Sequence, residues 1–418
     1  MRRSSTWRAF AASFVLVSVA VLADPGSSEE LRWVDQFGSE KKDVAWGAAL
    51  YGSTLYVCGE TEAALPTQGA FGEDDAFLRS YGIDGTRGWT EQFGTRSSDQ
   101  CFGVATGSGG ISVVGRTLGK LAGQNRRGGF DAFVRTYDAN GERRWTQQFG
   151  TRRSDAAFGV ATDSSGNLYV AGFTQGKLGG LPYRGDGDAF VRKLDPTGRV
   201  MWTREFGSRR LDFAFAVAAD DTGVYVAGAT RGALPQQRNR GEIDLFVRKY
   251  GASGHLEWTH QLGTDREDYA YGIAQDDSGV YVAGYTKGKF VEPGAGGGDA
   301  VLVKLASDGR RVWLEQFGTD KSDLAFAVAT DGTLVYVVGS TDGAFGGFAN
   351  QGERDVFARA FDPDGQERWT YQFGTERKDS ANWAAAGAGM LFLVGYVEGE
   401  LPQQSGSGDR DAFVASIA

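Results

Sequence analysis

The chain has 418 residues, 41% of them apolar, which is ample for a large packed core. Asp and Glu number 53 against 44 Lys and Arg, a formal charge of −9, so the basic footprint of a nucleic-acid-binding protein is missing. Two cysteines permit one intramolecular pairing, and the only two histidines fall in one stretch, GHLEWTH, without metal-ligand spacing.

The first element is the basic segment MRRSSTWR followed by the apolar run 9–23. That run is shorter than the ~20 residues a helix needs to cross a bilayer. It ends in Val-Leu-Ala before Asp24, a small-residue cleavage site. Residues 1–23 are therefore expected to be a secretory signal peptide and 24–30 a short linker, with the protein secreted, periplasmic or at the cell surface. Removing residues 1–23 takes away Arg2, Arg3 and Arg8 and no acid, which leaves the rest more acidic still. No later stretch suggests stable membrane insertion.

From residue 31 onward the chain repeats itself. Tryptophans at 33, 89, 145, 202, 258, 313 and 369 open seven units of 55–57 residues. A period in this range, with short strand-like segments, points to propeller blades. Each unit offers four strands in order. The first is W-x-x-Q-F-G, and the second is small and apolar, as in Phe158 to Ala161. The third is β-branched and aromatic, as in Leu168 to Gly172, and the fourth reads D-A-F, as in Asp188 to Lys193. Asp-Ser-Ser-Gly at 163–166 and Asp-Pro-Thr-Gly at 195–198 supply turn chemistry.

The small strand is expected innermost, where radial sheets leave least room. The blade order is then small strand, Y-V-A-G strand, D-A-F strand, W-strand. The chain begins with a W-strand and ends with a D-A-F strand, so the last blade borrows its outer strand from the N-terminus and no sheet edge is left open. This predicts an all-β, seven-bladed propeller over 31–418, expected to be a monomer. Asn382 and Trp383 break the small pattern in the last unit, which reads as strain at the blade that closes the ring.

The units G-x-T, G-x-x-D-A-F and F-G-T-x-x-S-D, carried by residues such as Gly172, Thr174, Asp188, Ala189 and Phe190, resemble a bacterial seven-bladed β-propeller repeat family of secreted and cell-surface proteins. The resemblance covers the whole chain after the expected signal peptide and implies the fold and an extracytoplasmic place. It implies little about activity.

Residues present in every unit read as scaffold, among them the acids Asp43, Asp99, Asp155, Asp212, Asp268, Asp323 and Asp379, and Asp75, Asp131, Asp188, Asp244, Asp299, Asp355 and Asp411. Short Asp side chains pin turns by accepting backbone N–H bonds. The alternative is calcium, although the D-x-D-x-D-G ligand loop does not occur; no other cofactor is implied. Cys58 and Cys101 stand where other units have Ala or Val. They are read as small core side chains, with a disulfide as the alternative that export would allow.

Function is sought in what does not repeat. One equivalent position holds Glu60, Arg116, Phe173, Ala229, Tyr285, Ser340 and Tyr396. The long loop that follows keeps its frame but varies inside, contributing Arg127, Tyr183 and Arg238. The connection between units carries Lys41, Arg153, Arg210, Arg266, Lys321 and Arg377. These bases would form a ring suited to carboxylated or sulfated groups, or would pair locally with the Asp two residues on. The expected function is non-enzymatic binding of a cell-surface protein or carbohydrate through this loop face. No H-E-x-x-H or G-x-S-x-G motif speaks for an enzyme, so the alternative is a carbohydrate-active hydrolase or lyase that works with carboxylates alone, drawn from unrepeated acids such as Glu60, Glu292 and Glu400.

Overall fold

The computed structural model describes residues 29–178, 183–291, 294 and 296–418. The expected signal peptide, and the linker up to residue 28, lie outside the described residues. Strand β1 (Leu31–Phe37) is followed by β2 (Asp43–Tyr51), β3 (Thr54–Thr61), β4 (Asp75–Gly82) and β5 (Arg87–Phe93), and the last four form one antiparallel sheet in that order. Five more four-stranded sheets repeat the arrangement. The seventh consists of Asp379–Gly387, Met390–Val397 and Asp411–Ile417, with β1 as its outer strand. The ring thus closes as the phase of the repeats predicts. Its seam runs from Leu31 opposite Ile417 to Phe37 opposite Ala412. Glu30 and Ala418 exchange main-chain hydrogen bonds of 3.0 and 3.2 Å at its end.

The strands sort as their composition dictates. The third and fourth strand segments of each unit, rich in Val, Tyr and Phe, are buried on both faces because adjacent blades cover them, and Tyr81, Phe77, Phe133, Phe190, Phe246 and Phe357 have almost no exposed surface. Burying one such side chain contributes about 1.5–3 kcal/mol. The repeated tryptophan fastens blade to blade at one end of the ring. The Trp33 indole N–H donates to Ile83 O at 2.9 Å, and its ring lies under Gly85. That glycine has φ 86°, and a side chain there would strike the indole. At mid-blade, guanidinium groups of Arg79, Arg135, Arg192 and Arg248 lie 3.9–4.3 Å over Phe37, Phe93, Phe149 and Phe206 of the preceding blade. Burial lowers the Arg192 pKa to about 10.

The innermost strands depart from expectation in one respect. Their small residues do not face the axis. A Cβ on Gly272 would stand 2.8 Å from Ala327 Cα, and one on Gly159 would stand 3.2 Å from Ala216 Cα. Small residues are therefore required where neighbouring innermost strands approach each other. The cause is a β-bulge in each of these strands, as between Ala157 and Gly159, which inserts one residue and turns the phase. The inserted residue is Trp46, Phe102, Phe158, Phe215, Tyr271 and Phe326 in six blades and Asn382 in the seventh. The bulge between Ala381 and Trp383 falls where the other blades have theirs, so no strand slips at the closing blade. Trp383 packs against the apolar clusters on both sides of its blade rather than projecting into the axis.

Candidate functional site

The long loop after each third strand segment and the connection to the next blade meet on one face of the ring. Gly72 presses against Thr95 and Arg96, Gly128 against Thr151 and Arg152, and Gly185 against Arg209 and Arg210. The frame beneath is hydrogen-bonded in a fixed scheme. Asp155 accepts the Thr151 N–H at 2.6 Å, the Thr151 hydroxyl at 3.0 Å and the Thr174 hydroxyl. Asp131 accepts the Arg127 N–H at 2.7 Å and the Gln148 amide at 2.8 Å. That glutamine also accepts the Leu121 N–H and donates to Gly119 O, fastening the loop. In the last blade Gln36 of β1 does the same work for Leu401, Gly399 and Asp411. The repeated carboxylates are thus each held through at least one oxygen by N–H or O–H donors, while the second oxygen of Asp43, Asp75, Asp99, Asp131, Asp188, Asp323 and Asp355 is buried without a hydrogen bond. Among the described residues no group of three or more His, Cys, Asp or Glu is placed to hold a metal ion.

Blade 3 breaks this scheme at Glu205, which stands where the other blades have glutamine. Its Oε2 accepts the Leu178 N–H at 2.8 Å. Its Oε1 occupies the place of the amide that would donate to the adjacent Asp, and is buried without a hydrogen bond. Burial, with Asp188 and Asp155 nearby, pushes the Glu205 carboxyl up to about 7.

The unrepeated residues are gathered into three regions. The first lies between blades 1 and 2. Glu60 sits beside the Trp46 indole, Gln100, Asp74 and Arg116, and burial pushes its carboxyl up to about 7 although Trp46 and Arg116 act in the opposite sense. The Arg116 guanidinium donates to Gln100 at 2.6 Å and stacks 4.3 Å over Phe130. Asp74 accepts the Ser98 hydroxyl at 2.6 Å.

The second region is an arc of aromatic rings around the axis. Centroids step from Trp46 to Phe102, Phe158, Phe215, Tyr271 and Phe326 at 5.4–6.2 Å. Phe213 and Tyr269 stack onto Phe215 and Tyr271, and Phe173 stacks onto Phe213 at 4.6 Å. Asn382 fills the seventh place, donating to Ala45 O at 3.1 Å.

The third region is the charged rim. Loops 118–130, 175–187 and 231–243 of blades 2, 3 and 4 carry eight bases and two acids. Loops 342–354, 398–410 and 62–74 of blades 6, 7 and 1 carry two bases and eight acids. The expected local pairing of the connection bases with the next Asp does not occur. Each such Asp is buried and spent on hydroxyl and N–H donors, while Arg153 and Arg210 are exposed. A cleft of about 540 Å³ opens between Arg126, Arg127, Arg152, Arg153 and Lys177. Another of about 300 Å³ lies one blade on, between Arg184, Ser208 and Arg209.

The individual expectations divide accordingly. Glu60 and Arg116 come together, and Phe173 joins the aromatic arc. Arg127 lines the larger cleft, and Arg238 is exposed on the same rim. Tyr183 is half-buried near Arg153, Asp186 and Asp188, its hydroxyl without a hydrogen bond. Tyr285 is not a surface contact: it is 8% exposed, slotted against Gly298. Tyr396 is covered by the Arg410 guanidinium at 4.1 Å. Glu400 is exposed, and Glu292 lies outside the described residues. Cys58 and Cys101 are not joined. Both are fully buried in the apolar cluster between blades 1 and 2, and burial followed by the neighbouring Cys101 thiol pushes the Cys58 thiol well up.

Comparison with known proteins agrees with the architecture. The family model of the SBBP beta-propeller repeat matches residues 144–179 and 257–290. The chain is 30% identical over 206 residues to Regulatory protein FlaEY of Caulobacter vibrioides, covering 43% of this chain and 21% of that protein. It is 22% identical over 186 residues to an uncharacterized WD repeat-containing protein, L264, of Acanthamoeba polyphaga mimivirus, covering 35% of this chain and 13% of the other. It thus spans about a fifth or less of the length of these curated relatives. Among solved structures, an acylaminoacyl peptidase of Pyrococcus horikoshii aligns with 86% of this chain and 50% of its own, at 11% identity and a TM-score of 0.47. The chain is a seven-bladed β-propeller, two segments of which, 144–179 and 257–290, match the SBBP beta-propeller repeat.

Proposed function

We propose that the protein is a recognition module, secreted or held at the cell surface, that binds a carbohydrate or protein partner through its loop face and performs no chemistry itself. One observation carries this reading. On a frame that repeats sevenfold, the loop face sorts its unrepeated side chains into a basic rim, an acidic rim and an aromatic arc, which is how rigid scaffolds mount binding loops. A relative named as a regulatory protein is compatible with a role exerted by binding. The test is an array of neutral and acidic glycans probed with the purified protein, a Phe213→Ala/Tyr271→Ala variant and a Met201→Ser variant on the opposite face. A ligand lost by the loop-face variant and kept by the other supports the reading. A ligand lost only by Met201→Ser overturns it.

A second reading, a carbohydrate-active hydrolase or lyase, draws on Glu60. A buried carboxyl poised near pH 7 beside Asp74 and Arg116 has the properties of a general acid. Turnover of a polysaccharide by the purified protein, abolished by Glu60→Gln, would promote it.

A further inference from the structure

We propose that the cleft between blades 2 and 3 is an anion site that seats the carboxylate or sulfate groups of an acidic polysaccharide. The proposal rests on the reading of the loop face as a recognition surface and names its ligand class.

Three observations lead there. First, five cationic side chains from three separate segments converge on one cleft: Arg126 and Arg127 from the loop of blade 2, Arg152 and Arg153 from the connection, and Lys177 from the loop of blade 3. All five are exposed and none forms an ion pair among the described residues. On a chain with more acids than bases, so many unpaired cations in one place are costly to the folded state, since like charges repel. The nearby carboxylates make no ion pair with them: Asp131 and Asp155 are buried beneath the loop and take their hydrogen bonds from Gln148, Thr151 and Thr174. Glu205, which feels the Lys177 charge, makes no ion pair with it and accepts the Leu178 N–H.

Second, within the long loops and connections of this face the arginine pairs are confined to one sector. There twin arginines occur at 126–127, 152–153 and 209–210, while the connections 263–267, 318–322 and 374–378 mix bases with Asp or Glu; the pairs at 143–144 and 310–311 open outer strands at the opposite end of their blades. The smaller cleft at Arg184 and Arg209 continues the row one blade further. A polymer with an anion at intervals could engage both clefts, and linked contacts raise affinity well beyond either alone.

Third, the chemistry of the surroundings selects among polyanions. Guanidinium forks match carboxylate and sulfate oxygens with paired hydrogen bonds. The half-buried rings of Phe158, Phe213 and Phe215 lie on the axial side of the basic rim, an apolar surface of the kind sugar C–H faces pack against. Duplex DNA carries a charge every ~1.7 Å of axis and would meet the acidic half of the same face. A uronate chain carries one charge per sugar and is repelled far less.

Affinity electrophoresis of the purified full chain tests this, with polygalacturonate, dextran sulfate, neutral dextran, duplex DNA and phosphatidylglycerol vesicles as probes. The expected result is retardation by polygalacturonate or dextran sulfate and not by dextran, weakening as salt rises. These two probes separate carboxylate from sulfate recognition. Arg127→Glu/Arg152→Glu should weaken binding at least tenfold, and Glu353→Gln/Glu400→Gln on the opposite rim less than twofold, with both variants melting within a few degrees of the parent. Equal binding by the Arg127→Glu/Arg152→Glu variant overturns the site. Tighter binding of DNA or vesicles overturns the ligand class. Failure to bind any acidic polymer overturns the proposal alone, because a ligand lost by Phe213→Ala/Tyr271→Ala would still uphold the recognition module.

Discussion

The two rims of the loop face rest on the same frame and use their charges differently. In the acidic half both loop bases are engaged, Arg354 with Asp342 at 2.7 Å and Arg410 with Glu398, and Lys378 of the connection reaches Glu353 at 3.4 Å. In the basic half Arg126, Arg127, Arg152 and Arg153 make no such pair among the described residues. Charges that pair locally are accounted for by the fold. Charges that do not are available to something outside it. The comparison separates side chains that hold the ring from those that face its surroundings, which repetition alone does not do.

The largest expected effect concerns the frame under the acidic half, which is assembled from both chain ends. Deleting residues 1–38 removes β1 and the Gln36 clamp, leaving the strand Asp411–Ile417 an open edge. Calorimetry should show the cooperative melt lost or lowered by more than ~15 °C, since several kcal/mol of burial go with that strand. A ring that melts normally without β1 would break the account of closure. Next comes a contrast within the basic half. Asp155→Ala strands the Thr151 N–H and two hydroxyls and should cost about 2–4 kcal/mol. Arg153→Ala should stay within about 0.5 kcal/mol. Chemical denaturation that finds the two alike would erase the line between frame and face.

Glu205 gives a third, pH-dependent effect. Its folded pKa, about 7, lies above the ordinary carboxyl value of 4.5, so its protonated form contributes stability that is complete below pH ~4.5 and is lost as pH rises through ~7. Glu205→Gln restores the amide clamp and should stabilise the protein by about 1 kcal/mol at pH 8, with the gain shrinking toward pH 5. A variant curve parallel to the parent at every pH would refute the assignment. The smallest effect lies across the two rims. Arg354→Ala should cost up to about 1 kcal/mol and Arg127→Ala nothing measurable, both read from thermal midpoints.

Much of the fold was legible because repetition reports it directly: the tryptophan period counts the blades, and the phase of the strands at the two ends shows how the ring closes. Misreadings trace to local geometry. Alternation along a strand placed the small residues against the axis, but one bulged residue per innermost strand turns the phase, and the aromatic before each small residue was the available signal. A spacing of two suggested that connection bases pair with the next Asp, yet burial had already committed that carboxylate to threonine. Tyr285 looked like a ligand contact because its position varies. Its depth is set by the missing side chain at Gly298, at the other end of the same loop. Glu205 interrupts W-x-x-Q in plain sight, and its meaning emerges only when the glutamine is seen to clamp a loop.

The seam has a practical corollary. Leu31 begins β1, and Ile417 ends its partner, on the side of the ring opposite the long loops. A linker, affinity tag or sensor surface joined directly before Glu29 or after Ala418 therefore pulls from the back of the disc. Either mounting leaves the basic rim turned toward the solution, so the two orientations should yield the same binding curve.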